Sequence, residues 1–310
     1  MTATVERVER LNRASLNRVI EPDVELPGSV GPGQLLPNEL LSVHGLDLDL
    51  TADQRRVLSR EEVASVLGAG MRFEAVLEVG FALQVAYAPD LCDPRVTYLL
   101  HEMGEETRHQ RIFARVIDQI GPQARNPLMG NPMVERLDRL GTHWITSHPA
   151  MLYLLVLAGE EIPDRMQKLA SEHPDTDRFL AQVNRYHRQE EARHLSFARA
   201  MLPEAWAGAS RLERSVVRRI GPLVIADLFR FLVHPGVYAT IGLDPWPTWR
   251  AAHRTAQRLT LRHEATRPVL EAAIAAGVLE RGAIPGAWQR LCGVDAGGVP
   301  HPPLPGIRAA

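Results

Sequence analysis

From Ser59 to about Tyr87 the apolar residues Val63, Leu67, Met71, Leu77, Phe81 and Val85 recur at the spacing of one helix face. Asp93 and Pro94 then supply an N-cap and a proline for the first helical position. They predict a second helix that runs to about Ile120 and is closed by Gly121-Pro122. The same reading predicts a shorter helix over 132–147, a very apolar one from His148-Pro149 to about Ala170, and a fifth from near Asp175 to about Met201. After Pro203 two further helical stretches are expected, 211–233 and 246–277. No alternating strand pattern of useful length occurs, and no GxGxxG or Walker A loop points to nucleotide binding. The expected fold class is all-α.

The helical pattern lies between two irregular ends. Residues 1–50 form an N-terminal segment with room for one short helix, and 21–50 are rich in proline and glycine. A Gly/Pro-rich tail, 281–310, is expected to be loosely ordered around one further short helix. Composition does not shift in between, so a single helical domain over 51–280 is expected.

The full chain of 310 residues, 45% hydrophobic and 23% charged, can bury a sizeable core. Its formal net charge of −2 offers no attraction to nucleic acid or to an anionic membrane, and neither is an expected partner. Cys92 and Cys292 stand far apart without a CxxC, which argues against a disulfide framework, an iron–sulfur site or a zinc ribbon. The N-terminus, MTATVERVERLNR, lacks the apolar core of a signal peptide. The longest apolar run, Ala150 to Gly159, is about half the length of a membrane-spanning helix. A cytoplasmic location is therefore expected.

Two Glu-x-x-His runs carry the candidate chemistry: Glu106 to His109 and Glu191 to His194. Chance alone gives roughly one such match in a chain of this composition, so their surroundings must decide. Each lies on the apolar face of its helix. Leu99, Met103, Glu106, His109, Phe113 and Ile117 share one stripe, and Leu180, Asn184, His187, Glu191, His194, Leu195 and Ala198 share another. Arg108, Arg111, Arg115 and Arg193 fall largely on the opposite sides. Acids on a buried face are costly unless something compensates them.

Upstream, Glu74 sits in the apolar stripe of the first long helix and Glu160 in the run MLYLLVLAGEE. Glu74 precedes Glu106 by 32 residues, and Glu160 precedes Glu191 by 31. The chain thus reads twice as a helix with one buried Glu followed by a helix with Glu-x-x-His, the ligand pattern of ferritin-like dinuclear carboxylate bundles. Several anionic oxygens offset the charge of two metal ions, and imidazoles complete the coordination. His187, one turn before Glu191 on the same face, offers a third imidazole; the plainer alternative is a core histidine bonded to a carbonyl.

Some positions stay open at this stage. Glu78, one turn after Glu74, is a rival ligand or a supporting acid. Glu161 forms an expected exposed charge stripe with Arg165 and Lys168, which favours Glu160 as the ligand. Glu102, one turn before Glu106, projects towards the same site, whereas Glu105 is expected at the helix edge. Arg108 and Arg193 either pair with supporting carboxylates or are solvated. His143, His148, His173, His234, His253 and His263 show no metal spacing, and Trp246 and Trp249 are expected in core or dimer contacts.

The stretches RFEAVLEVGF, HEMGEETRHQRIF and YHRQEEARHLSFAR resemble the metal-binding helices of the p-aminobenzoate N-oxygenase (AurF-like) di-iron proteins of the ferritin-like superfamily. The likeness extends over about residues 55–245 and includes VYATIGLDP, Val237 to Pro245. The most discriminating element is His187-x-x-x-Glu191-x-x-His194, because generic ferritin-like proteins lack the extra histidine.

The resemblance implies a ferritin-like bundle with additional C-terminal helices and a di-iron centre. It implies that Glu106 and Glu191 bridge the irons, that Glu74 and His109 bind one, and that Glu160, His187 and His194 bind the other. It further implies a biosynthetic oxygenase that activates O2 as a peroxo-diferric species and oxidises an arylamine to the hydroxylamine or nitro compound. Manganese or a mixed Mn/Fe centre also suits such ligands. A homodimer is expected. An external electron donor or reductase is expected too, since no flavin, nicotinamide or iron–sulfur motif is visible.

Three other readings compete. A hydroxylase or desaturase of a small or carrier-tethered substrate would use the same ligands. A ferritin-like iron-binding protein would need no organic substrate, yet about a hundred residues beyond the four metal helices suit a substrate chamber or dimer interface better. A polar core satisfied by arginines and water is the last.

Overall fold

The computed structural model describes residues 3–302. α1 (Ala3–Asn17) and the one-turn α2 (Pro22–Glu25) precede two long helices, α3 (Ala52–Ala86) and α4 (Pro94–Ile120). α5 (Pro132–Thr146) leads to a second long pair, α6 (Pro149–Glu172) and α7 (Arg178–Gly208). α8 (Arg211–Arg219), α9 (Gly221–Phe231), α10 (Gly236–Ala239), α11 (Pro245–Ala252), α12 (Ala256–Ala275) and α13 (Gly286–Cys292) complete an all-α bundle. An isolated bridge between Val294 and Pro300 is the only extended pairing among the described residues.

Local chemistry sets the helix ends. Thr51 and Gln54 form a reciprocal capping box that opens α3. Asp93 caps α4 ahead of Pro94, and Gly121 closes it in the left-handed conformation at φ 60°. Asp177 accepts the backbone N–H groups of Phe179 and Leu180 to start α7.

α6 is the spine. Every residue from Ala150 to Ile162 is buried, as befits a helix apolar on all sides. α7 packs along one flank, while α12, α9 and α3 pack on others. Two glycines let α3 come close to α6: a Cβ on Gly80 would stand 2.7 Å from Leu152, and one on Gly159 would run into the ring of Phe73. Phe73 and Gly159 immediately precede Glu74 and Glu160, so this close approach brings two candidate ligands together.

Several expectations change in detail. Glu161 is not part of an exposed stripe: it is buried and pairs with Arg199, while Arg165 reaches Glu264 on α12 at 2.6 Å. The cause is tertiary packing: α7 brings Arg199 and α12 brings Glu264 to side chains that an isolated α6 would show to solvent. The stretch 211–233 is two helices that break at Ile220, where Gly221 and Pro222 follow, and 246–277 is likewise split between α11 and α12. α7 continues through Pro203 to Gly208.

The segment before residue 51 opens with a fifteen-residue helix packed against α4 and α7. At the other end, Ile284, Trp288, Leu291, Cys292 and Val294 join the main core; the rest of the Gly/Pro-rich tail, 303–310, lies outside the described residues. By length and composition Gly221–Ala239 is apolar enough to cross a membrane, yet it is broken between α9 and α10 and half of it is buried.

Gly159→Ala is expected to push Phe73 aside at a cost of about 1–3 kcal/mol, the usual range for overpacking a tight contact. A thermal melt should show the loss, and metal content per folded chain should fall with it because Glu74 moves with Phe73.

Candidate metal centre

α3, α4, α6 and α7 converge on one buried polar cluster. Glu74, Glu106, His109, Glu160, His187, Glu191 and His194 all lie in it, each no more than 3% exposed. Donor atoms come within 4.8 Å of one another in four overlapping groups that can hold an ion. These are Glu74–His109–His187, Glu106–His109–Glu191, Glu160–His187–Glu191 and Glu102–Glu106–His194. The groups contain all seven residues expected from the sequence, and Glu102 besides. Glu78 is only half-buried and belongs to none of them.

Glu106 and Glu191 occupy the middle. His109 Nδ1 lies 3.2 Å from Glu106 and 3.1 Å from Glu191; His194 Nδ1 lies 3.3 Å and 2.9 Å from the same two carboxylates. His187 Nε2 stands 3.4 Å from both Glu74 and Glu191.

The outer nitrogen of each ring is held from behind. His109 Nε2 meets Glu190 at 3.0 Å, His194 Nε2 meets Glu105 at 2.8 Å, and His187 Nδ1 meets the Gln167 amide oxygen at 3.0 Å. An ionised carboxylate and an amide oxygen only accept, so each outer nitrogen carries the proton and donates it. The opposite nitrogen is thereby turned, as a potential ligand, towards the carboxylates. Arg193 reaches Glu105 at 2.9 Å and Glu190 at 3.5 Å, and Arg108 reaches Glu190 at 3.4 Å.

This corrects the placement of Glu105 at a helix edge, and of the two roles open to Arg108 and Arg193 it supports pairing with carboxylates behind the ligands. Glu105 of α4 holds the histidine of α7, and Glu190 of α7 holds the histidine of α4. A repeated Glu-Glu-x-Arg-His, at 105–109 and 190–194, carries the signal for this crossed clasp. Gln167, two turns beyond Glu160, has no comparable signal.

Electrostatics follow from the crowding. Burial, then the neighbouring carboxylates, pushes Glu74 and Glu160 well above the ordinary range, and burial pushes Glu102 up to about 8. His109 and His194 also rise well above theirs; burial opposes this, but hydrogen bonds and charges from the surrounding acids prevail. Burial likewise opposes the lowering of Glu105 to about 2, which the bond and charge of His194 and Arg193 enforce. His187, with an amide behind it, is lowered by burial to about 4. Protons thus balance much of the negative charge, and divalent cations can replace them.

Buried acids elsewhere are satisfied by the protein. Glu61 accepts the N–H groups of Gln123 and Ala124, Glu62 the N–H and the hydroxyl of Ser42, and Glu213 the N–H of Ala150. In the cluster, buried oxygens of Glu74, Glu102 and Glu160 have no hydrogen-bond partner. Orphaned carboxylate oxygens beside the inward ring nitrogens fit metal ions that displace the protons held there.

A cavity of about 80 Å³ lies between α3, α6, α7 and α12, and its lining includes Gln167, the hydrogen-bond partner of His187. Gln167 and Asn184 line one part, Leu67, Met166 and Leu180 form apolar walls, and Arg258 closes another. Arg258 is 5% exposed, stacks over Phe229 at 4.6 Å, and has no side-chain hydrogen bond or ion pair within 4 Å among the described residues. Nothing in the pattern of the sequence singled it out.

The model of the family P-aminobenzoate N-oxygenase AurF matches residues 2–277. The uncharacterized proteins Mb0909 of Mycobacterium bovis and Rv0885 of Mycobacterium tuberculosis are each 28% identical over 189 residues, covering 56% of this chain. The chain spans about half the length of these curated relatives, 50% of each. Among solved structures, a point mutant of an R2-like ligand-binding oxidase with aerobically reconstituted Mn/Fe cofactor aligns at a TM-score of 0.47 and 14% identity, covering 87% of this chain and 93% of that one. With the family model matched from end to end of the four helices that carry Glu74, Glu106, His109, Glu160, His187, Glu191 and His194, the chain belongs to the p-aminobenzoate N-oxygenase AurF family.

Proposed function

We propose that this chain is a di-iron oxygenase that uses O2 to oxidise the nitrogen of a small amine, taking an arylamine towards the hydroxylamine or nitro compound in a biosynthetic pathway. One observation carries the reading: the three imidazoles and four carboxylates expected of such a centre converge in one buried cluster, each ring locked from behind. Glu106 and Glu191, in the middle, suit the bridging role. Glu74 with His109, and Glu160 with His187 and His194, suit the two terminal sets. Iron is the proposed metal; manganese or a mixed pair is compatible with the same donors.

The metals, when bound, supply binding and activation of O2. The chain does the rest. Glu105, Glu190 and Gln167 fix the ring tautomers, while Phe113 and Tyr186 pack around His109 and keep water out. Arg258 supports a substrate with an acidic group: a buried guanidinium whose Nε and Nη2 have no hydrogen-bond partner, with Glu62 acting on it only through charge at a distance, favours an anion, and the apolar walls favour a compact ring. Electrons are proposed to come from a separate reductase or small donor; full turnover with NADH alone would contradict this.

A homodimer and a cytoplasmic location complete the proposal. Met133, Leu137 and Leu140 give α5 an exposed apolar stripe that a second copy can cover. Leu137→Glu is then expected to convert dimer to monomer in sedimentation analysis.

Wild-type protein should bind two ions per chain. Glu191→Ala should lose both, and His187→Ala should weaken one; wild-type metal content in both variants would remove the dinuclear reading. Because Glu74, Glu160, His109 and His194 hold protons that metal must displace, loading should release protons and affinity should rise with pH. Iron-loaded protein given O2, an electron donor and p-aminobenzoate or related arylamines should form N-oxygenated product. Oxidation at carbon only would favour a hydroxylase instead. Arg258→Met should weaken benzoate binding by about tenfold or more, with no change for neutral benzamide.

A further inference from the structure

Glu102 is the one acid of the cluster that neither the protein nor the expected ligand set uses. It lies on α4 one turn before Glu106, is fully buried, and both of its carboxylate oxygens lack a hydrogen-bond partner. Tyr98, one turn further back on the same helix, also has a buried hydroxyl with no partner. A structural acid would be expected to take that hydroxyl, as Glu62 takes Ser42. The Glu102 side chain instead brings an oxygen within 4.8 Å of donor atoms on Glu106 and His194. Donors sharing an ion at ~2.1 Å stand up to ~4.2 Å apart, so only a slight closure separates this group from a coordination sphere.

We propose that Glu102 is a fifth carboxylate ligand of the dinuclear centre, on the side of Glu106 and His194, for a transition-metal cation. The inference rests on the dinuclear reading above and adds a ligand to it. Four carboxylates balance two divalent ions; the fifth gives the centre a net negative charge and concentrates it on the His194 side. That side is the tighter of the two sites and fills first. The asymmetry arises from this chain's own sequence, His-Glu-Met-Gly-Glu-Glu, in which an acid precedes the bridging Glu106 by a full turn.

Co(II) titration of metal-free full-length protein tests this, with binding followed by calorimetry and by visible absorption. Glu102→Gln keeps size and polarity, and Glu102→Met keeps approximate length while removing the buried polar group. Both are expected to weaken the tighter site by tenfold or more and to change the Co(II) absorption bands, leaving the weaker site near its wild-type affinity. Metal-free Glu102→Met should melt no lower than wild type, which separates a ligand from a fold-supporting acid. Unchanged affinities and bands in both variants would overturn the proposal while leaving two-metal binding by the wild type intact. Failure of the wild type to bind metal would overturn both readings.

Discussion

Removing carboxylates from water is the constraint on which this molecule turns. A single buried acid is costly, and several facing one another are worse, because each ionised group raises the cost of ionising the next. The four long helices accept that penalty at one level of the bundle only. Elsewhere buried acids are met by the protein itself, through backbone N–H groups at Glu61 and Glu213 and through Arg199 at Glu161. Around Glu106 and Glu191 the compensation comes from imidazoles, and two arginines stand behind them. Such a site is unlike an ordinary salt-bridge network, which would have brought the arginines inward.

The same constraint explains the architecture. A cluster this polar must be walled by helices that are otherwise apolar, and α6 meets that demand with a continuously buried run interrupted by little except Glu160 and Glu161. Phe73 against Gly159 brings α3 within reach of it. The crossed clasp of Glu105 and Glu190 then ties α4 to α7 through their histidines. Secondary structure, packing and ligand geometry are therefore one problem here rather than three.

Much of this was legible in the residues themselves. Helical spacing gave the bundle, because long amphipathic helices carry a strong period, and the two Glu-x-x-His runs stood out because acids interrupt apolar stripes. What escaped depends on which elements become neighbours. Glu161 reads as exposed on a lone helix and is buried only in the bundle, where Arg199 of α7 pairs with it. Glu105 and Glu190 hold each other's partner histidines across two helices, a relation that one-helix periodicity cannot carry, although the repeated Glu-Glu-x-Arg-His spelled it out. Arg258 lies beyond the metal helices and meets the cavity solely through tertiary packing. The breaks at Ile220 and near His253 fall where local turn chemistry overrides a continuous apolar pattern.

The three imidazoles are held unequally. His109 and His194 donate to carboxylates, whereas His187 donates to the neutral amide of Gln167. A ring that gives its proton partly to an anion acquires imidazolate character and becomes a stronger electron donor at its other nitrogen; a ring bonded to an amide gains far less. The bundle therefore has a built-in electronic gradient, richest between the two clasped rings and poorest at His187, the side next to the cavity with Arg258. Of the three imidazoles, His187 would thus be the weakest electron donor to any cation it holds, and the difference is written in a single amide where a third carboxylate would have erased it.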